Sequence, residues 1–104
     1  MFLSKPSSNQ WFLYILRCNN GSLYTGITKD IERRFEEHQS QGKKCSKYLR
    51  GKAPLTIVYQ SSPLSHEEAL KQEMCIKRFS KKEKEEFIKR YNNYRHGDNL
   101  EKIF

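Results

Sequence analysis

Trp11–Ile27, WFLYILRCNNGSLYTGI, sets two runs of aromatic and aliphatic residues, Trp11 to Arg17 and Ser22 to Ile27, on either side of Asn19-Asn20-Gly21. Such side chains suit a pleated, half-buried surface, and Asn and Gly tolerate the positive φ of a tight connection, so the stretch predicts a β-hairpin. A three-residue loop with Gly21 in the left-handed conformation pairs Cys18 with Ser22. In that register the even-numbered residues share a face, and Tyr14 and Tyr24 become diagonal neighbours across the two strands. A slip of one residue would separate them.

Downstream of the hairpin, Thr28 or Asp30 can cap a helix from Ile31 to about Gln41, with Ile31 and Phe35 as its apolar stripe and Gly42 as its stop. Arg34 and His38, at i and i+4, flank or enter that stripe. A third strand, Leu55 to Gln60, follows Pro54. Ser65-His66-Glu67-Glu68 spells a capping box, with Leu64 and Ala69 placed as a hydrophobic staple, for a helix over 65–79. Ser80-Lys81-Lys82-Glu83 is a second box, opening a helix on which Phe87, Tyr91 and Tyr94 recur at i, i+4 and i+7. The order β-β-α-β-α-α predicts an α+β fold: a small three-stranded sheet, mixed or antiparallel, flanked by helices. The 104 residues suffice for one core. We read 1–10 as a flexible leader, 11–95 as a single domain and 96–104 as a polar tail.

In the helix over 65–79, one face reads Ile76, Ala69, Glu73, Lys77, Leu70, Met74. A carboxylate inside an apolar stripe needs a partner or a metal. The alternative is an exposed Glu73–Lys77 pair at i, i+4, worth only about 0.2–0.5 kcal/mol.

Twenty Lys and Arg against twelve Asp and Glu give a net charge of +8. Lys43, Lys44, Lys47, Arg50 and Lys52 fall close together with no acid between them, around Tyr48. Such a run favours a polyanion, nucleic acid being the commonest in a cell, although a basic run can also be a solvated loop. Three cysteines without C-x-x-C spacing indicate neither a disulfide framework nor a zinc site. No stretch is long and apolar enough for a signal peptide or membrane span, which leaves a cytoplasmic location as the expectation and no membrane partner.

Tyr14, Tyr24-Thr25-Gly26, Arg34, His38 and Glu73, in this order, resemble the GIY-YIG endonuclease superfamily, above all its small standalone bacterial members. The likeness spans roughly Trp11 to Phe79. It implies that Tyr14 and Tyr24 are the tyrosines of the two family motifs, Gly26 the closing motif glycine, Arg34 the family arginine and Glu73 the metal-binding glutamate. His38 matches a helix position where relatives carry His or Tyr. The first motif departs from the pattern, reading Phe12-Leu13-Tyr14 in place of Gly-Ile-Tyr but keeping the hydroxyl. The family's downstream asparagine is assigned neither to Asn92 nor to Asn93.

What the resemblance implies is a metal-dependent endonuclease acting on DNA, favoured over RNA, by structure rather than by sequence. One Mg²⁺, with Mn²⁺ as a substitute, would be held by Glu73 and several waters. Arg34 would hold phosphoryl oxygens, and Tyr24 would be general base on water, with Tyr14 or His38 orienting it or relaying its proton. A phenol of pKa about 10 is ionised to roughly one part in a thousand at neutral pH, a cost near 4 kcal/mol unless cations offset it. Lys43, Lys44, Lys47, Tyr48, Arg50, Lys52 and Lys77 would contact the nucleic-acid backbone, Tyr48 also by stacking. With no recognisable base-reading module, sequence specificity would come from a protein partner. Two other readings stay open: a non-catalytic nucleic-acid-binding module on the same scaffold, and an interaction domain docking through Phe87, Tyr91 and Tyr94.

Overall fold

The computed structural model describes residues 9–92. The readings placed on residues 1–8, Asn93, Tyr94 and the tail lie outside the described residues. The elements are β1 (Phe12–Arg17), β2 (Leu23–Thr28), α1 (Ile31–Gln39), a short 3-10 turn (Lys47–Leu49), β3 (Thr56–Gln60), α2 (His66–Lys77) and α3 (Lys81–Asn92). The sheet order is β2-β1-β3 and both pairings are antiparallel, which decides between the mixed and antiparallel alternatives. The hairpin closes as its sequence dictates: the Cys18 N–H donates to the Ser22 carbonyl at 2.8 Å, the Gly21 N–H to that of Cys18 at 2.9 Å, and Gly21 sits at φ 87°.

Strand alternation divides the core in two. Even-numbered Tyr14 and Leu16 pack with Ile31, Cys45, Leu49 and Leu55, beneath α1 and the basic loop. Odd-numbered Leu13 and Ile15 pack with Leu23, Ile76 and Ile88, beneath α2 and α3. Residues on the two faces can meet only around an edge, and the outer edge next to α2 belongs to β2.

Asp30 caps α1, its Oδ1 accepting from the Arg33 N–H at 3.1 Å, while Thr28 Oγ1 accepts from the Asp30 N–H at 3.1 Å. The helix stops at Gln39, earlier than expected, and Gln41 rather than Gly42 takes the left-handed position, at φ 62°. A non-glycine residue tolerates that conformation here because its side chain is held: Gln41 Nε2 donates to the carbonyls of His38 (2.9 Å) and Leu49 (3.1 Å), and Oε1 accepts from the Gly51 N–H (2.6 Å). β3 begins one residue late, since the Leu55 N–H is engaged by Gln39 Oε1 at 2.8 Å.

Both capping boxes form, at Ser65/Glu68 and Ser80/Glu83. The expected apolar face of α2 is narrower than its wheel suggested: Ala69 and Ile76 are buried, but Leu70 and Met74 are exposed, because the buried line runs through Ala69 and Ile76 and those two lie past Glu73 and Lys77. Leu64, placed as a staple, bridges Trp11 through paired backbone hydrogen bonds. On α3 the expected docking stripe is partly spent internally. Phe87 packs edge-on against Tyr59 and Phe79, Ile88 is buried, and of the described stripe residues Tyr91 is the exposed one. A bidentate pair from Arg17 to Glu85 (2.7 and 2.8 Å), joined by Lys81, fastens α3 to the hairpin. The Arg17 hydrogen bonds hold the Glu85 carboxyl down at about 2.

Candidate active site

Tyr14 lies directly opposite Gly26 across the hairpin, and its ring crosses the glycine so closely that a Cβ there would stand 2.6 Å from the phenol oxygen. The glycine is what lets the hydroxyl reach its position. Gly26→Ala should therefore displace the ring or the strand and lower stability by about 1–3 kcal/mol in urea unfolding. An alanine variant as stable as the parent would show that the ring has another place to go.

His38 is fully buried. The Ser46 backbone N–H, which can only donate, points at His38 Nδ1 at 3.3 Å, so the neutral ring carries its proton on Nε2 and donates it to Tyr14 Oη at 3.0 Å. Burial, reinforced by the Arg34 charge, pushes the imidazole down to about 4. Below its ordinary value of 6.5 the unfolded chain binds a proton that the folded one refuses. The stability tied to neutral His38 is thus complete above pH 6.5 and lost as the pH falls toward 4. We expect wild type to lose up to about 3 kcal/mol across that window beyond what His38→Gln loses. Parallel pH dependences of the two proteins in denaturant unfolding would refute this.

Tyr14 is a neutral phenol: burial and the nearby Tyr24 raise its pKa, and Arg34 offsets only part of the rise. Since Oη accepts from His38, its own proton remains to be donated, and the Tyr24 ring adjoins it with centroids 6.3 Å apart. Arg34, part-exposed, is aimed by Nη1 donating to Glu37 Oε1 and to the Lys44 carbonyl, each at 2.8 Å. Tyr24 meets His38 edge-on at 5.4 Å, and Tyr48 stacks on its other side at 5.8 Å with Lys52 Nζ 3.5 Å from the Tyr48 ring centre. The basic stretch is a folded platform rather than a loose loop: Cys45 and Leu49 are buried, and Lys43, Lys44, Lys47, Tyr48 and Arg50 point outward.

Glu73 lies on α2, in the layer on the other side of the sheet from α1. Its side chain is 18% exposed and its carboxylate lies 3.3 Å from Lys77 Nζ, so it is both half-buried and paired. Lys77, one turn on, lines a cleft of about 300 Å³ together with Tyr24, Thr25, Tyr48 and Lys84 at the β2 edge. Tyr14, Tyr24, Arg34 and His38 are thus one cluster, and among the described residues Glu73 is joined to it by no hydrogen bond. No group of three or more His, Cys, Asp or Glu side chains suited to a metal occurs among the described residues. A lone carboxylate fits a hard cation that keeps most of its ligands as water or substrate oxygens, as Mg²⁺ and Mn²⁺ do, and not an all-protein zinc cage.

Residues 10–96 match the GIY-YIG catalytic domain. The chain belongs to the GIY-YIG family. GIY-YIG domains form a nuclease family and typically act on nucleic acid. The chain is 48% identical over 79 residues to the UPF0213 protein of Cronobacter sakazakii, covering 76% of this chain and 81% of that one. It is 44% identical over 78 residues to the UPF0213 protein YhbQ of Escherichia coli K12, covering 75% and 76%. The solution NMR structure of the UPF0213 protein BH0048 from Bacillus halodurans shares 39% identity and superposes with a TM-score of 0.51, covering 77% of this chain and 83% of that one. Among the described residues no helix is long and apolar enough to cross a membrane. Where the GIY-YIG pattern has Gly-Ile, this chain buries Leu13 in the odd-face core and half-buries Phe12 in the other, so the departure alters packing while the Tyr14 hydroxyl stays in place. Glu37 as partner of Arg34 is a local i, i+3 pair that sequence can show. Gln41, the Ser46 amide, Thr25 and Lys84 carry no such signal.

Proposed function

We propose that the protein is a metal-dependent endonuclease that hydrolyses phosphodiester bonds in DNA, selecting by structure rather than sequence. The observation that carries this reading is the buried Tyr14–His38 hydrogen bond presented to Tyr24 beside Arg34. Phosphodiester hydrolysis asks for on the order of 20 kcal/mol of transition-state stabilisation, so several groups must converge. Tyr24 takes the proton of the attacking water. Tyr14, donating toward Tyr24 and itself receiving the His38 Nε2–H, stabilises negative charge on the Tyr24 oxygen, which makes His38 and Gly26 positioning residues. Arg34 receives the growing charge on the phosphoryl oxygens. Glu73 would hold Mg²⁺, which when bound polarises the scissile phosphate and neutralises the leaving oxygen. The outward cations of the 43–52 stretch and Lys77 give affinity through phosphates, Tyr48 offers a stacking face, and a protein partner would supply any sequence choice.

One observation favours a non-catalytic nucleic-acid-binding module instead: Arg34 Nη1 and Glu73 are already engaged by Glu37 and Lys77. Incubating the purified chain with supercoiled, branched and single-stranded DNA, with Mg²⁺ or with chelator, separates the two. The nuclease reading requires strand breaks that appear with the metal and stop with the chelator. Salt-sensitive binding that is indifferent to metal and leaves every strand intact would establish the binder.

A further inference from the structure

The cleft at the β2 edge contains two groups that the proposed reaction does not use. Lys84, on α3, is half-buried beside Tyr24, Thr25, Tyr48 and Lys77, and forms neither an ion pair nor a side-chain hydrogen bond among the described residues. Its neighbours on the helix are otherwise committed, Lys81 to Glu85 and Glu83 to the Ser80 N–H. Lys77, across the cleft, is compensated by Glu73, so the uncompensated charge there is that of Lys84. The second group is Thr25, whose Oγ1 is buried with no hydrogen-bond partner. The half-buried, unpaired cation at this opening lacks what an anionic oxygen provides, and the wall behind it keeps an orphaned Thr25 hydroxyl.

We propose that this cleft is a subsite for a phosphodiester group of the nucleic-acid strand other than the one cleaved, anchored by Lys84 with Lys77 and Thr25 on its walls. It rests on the nuclease reading for the identity of the strand, and extends it to a second point of hold. Arg34 stands on the α1 side of the sheet and Lys84 on the α3 side, with Tyr24 at the edge between them. A strand gripped at both points crosses Tyr24, passing over the β2 edge from one face of the sheet to the other. Lys84 acts as a point charge with rotatable donors, suited to a phosphate that needs holding without geometric exactness.

The test is binding of a fluorescein-labelled oligonucleotide by anisotropy, in chelator so that no cleavage intervenes, over about 50 to 200 mM salt. Lys84→Ala, which keeps helix propensity, should weaken binding roughly three- to tenfold at low salt and reduce the slope of log affinity against log salt by about 0.7–0.9, one phosphate's worth. Lys84→Arg should restore both. Lys82→Ala, an exposed lysine on the same helix away from the cleft, should change neither. An unchanged slope in Lys84→Ala, or an equal loss in Lys82→Ala, overturns the subsite, the latter by showing only a diffuse field. Because binding is read without metal, this outcome is independent of whether the DNA is cut.

Discussion

Glu73→Gln is expected to reduce Mg²⁺-supported DNA cleavage at least about a thousandfold, roughly 4 kcal/mol of transition-state stabilisation. The amide keeps the size of the side chain and its place on the flank of α2 but gives up the negative charge, and nothing else among the described residues offers a carboxylate cluster to take over. Misfolding would not account for such a loss. The pair with Lys77 is an i, i+4 contact with a partner 56% exposed, worth a few tenths of a kcal/mol at about the level of other helix pairs. Thermal unfolding should therefore change little, and affinity for DNA in chelator should hold or rise slightly once an anion is removed from a basic surface. Cleavage by the Gln variant at the parental rate would refute the assignment of Glu73, and with it the metal-dependent mechanism.

The second large effect is expected from Tyr24→Phe: a fall in cleavage of about 10²- to 10⁴-fold, the range of a lost general base, with DNA affinity retained. The ring that stacks on Tyr48 and meets His38 survives the change; only the oxygen goes. Tyr24 is a cleaner probe than Tyr14, since Tyr14→Phe would also leave the His38 Nε2–H buried without an acceptor and mix a stability cost into the rate. Single-turnover cleavage with saturating protein separates the chemical step from binding. Parental rates under those conditions would remove Tyr24 as the base.

The hairpin, both capping boxes and the diagonal placing of Tyr14 and Tyr24 were legible in the chain because each depends on neighbours a few residues apart or on a period of two. Spacing left open whether His38 flanks or enters the stripe of α1; its complete burial depends on where residues 45–49 fold back. The hydrogen bond that fixes its tautomer comes from the Ser46 amide, which every non-proline residue possesses and no sequence pattern marks. Gln41 is similar: a glutamine at positive φ is explained by three side-chain hydrogen bonds, to His38, Leu49 and Gly51, and not by intrinsic preference. The α2 wheel set Glu73 and Lys77 inside an apolar stripe, whereas Glu73 is half-buried and Lys77 is 56% exposed and paired with it. It overstated the apolar face at Leu70 and Met74, because hydrophobicity alone does not say where a packed stripe ends. The resemblance alone joins Glu73 to the tyrosines; that it belongs to the layer on the far side of the sheet required the fold.

Under the proposed mechanism, that two-sided origin decides when the molecule could first cut DNA. The hairpin and α1 bring together phenols, imidazole and guanidinium within the first part of the chain, yet the carboxylate that would hold the metal belongs to α2, in the second layer. A nascent or nicked polypeptide ending before α2 would be chemically mute, and on this reading the nuclease is armed by the completion of its own folding.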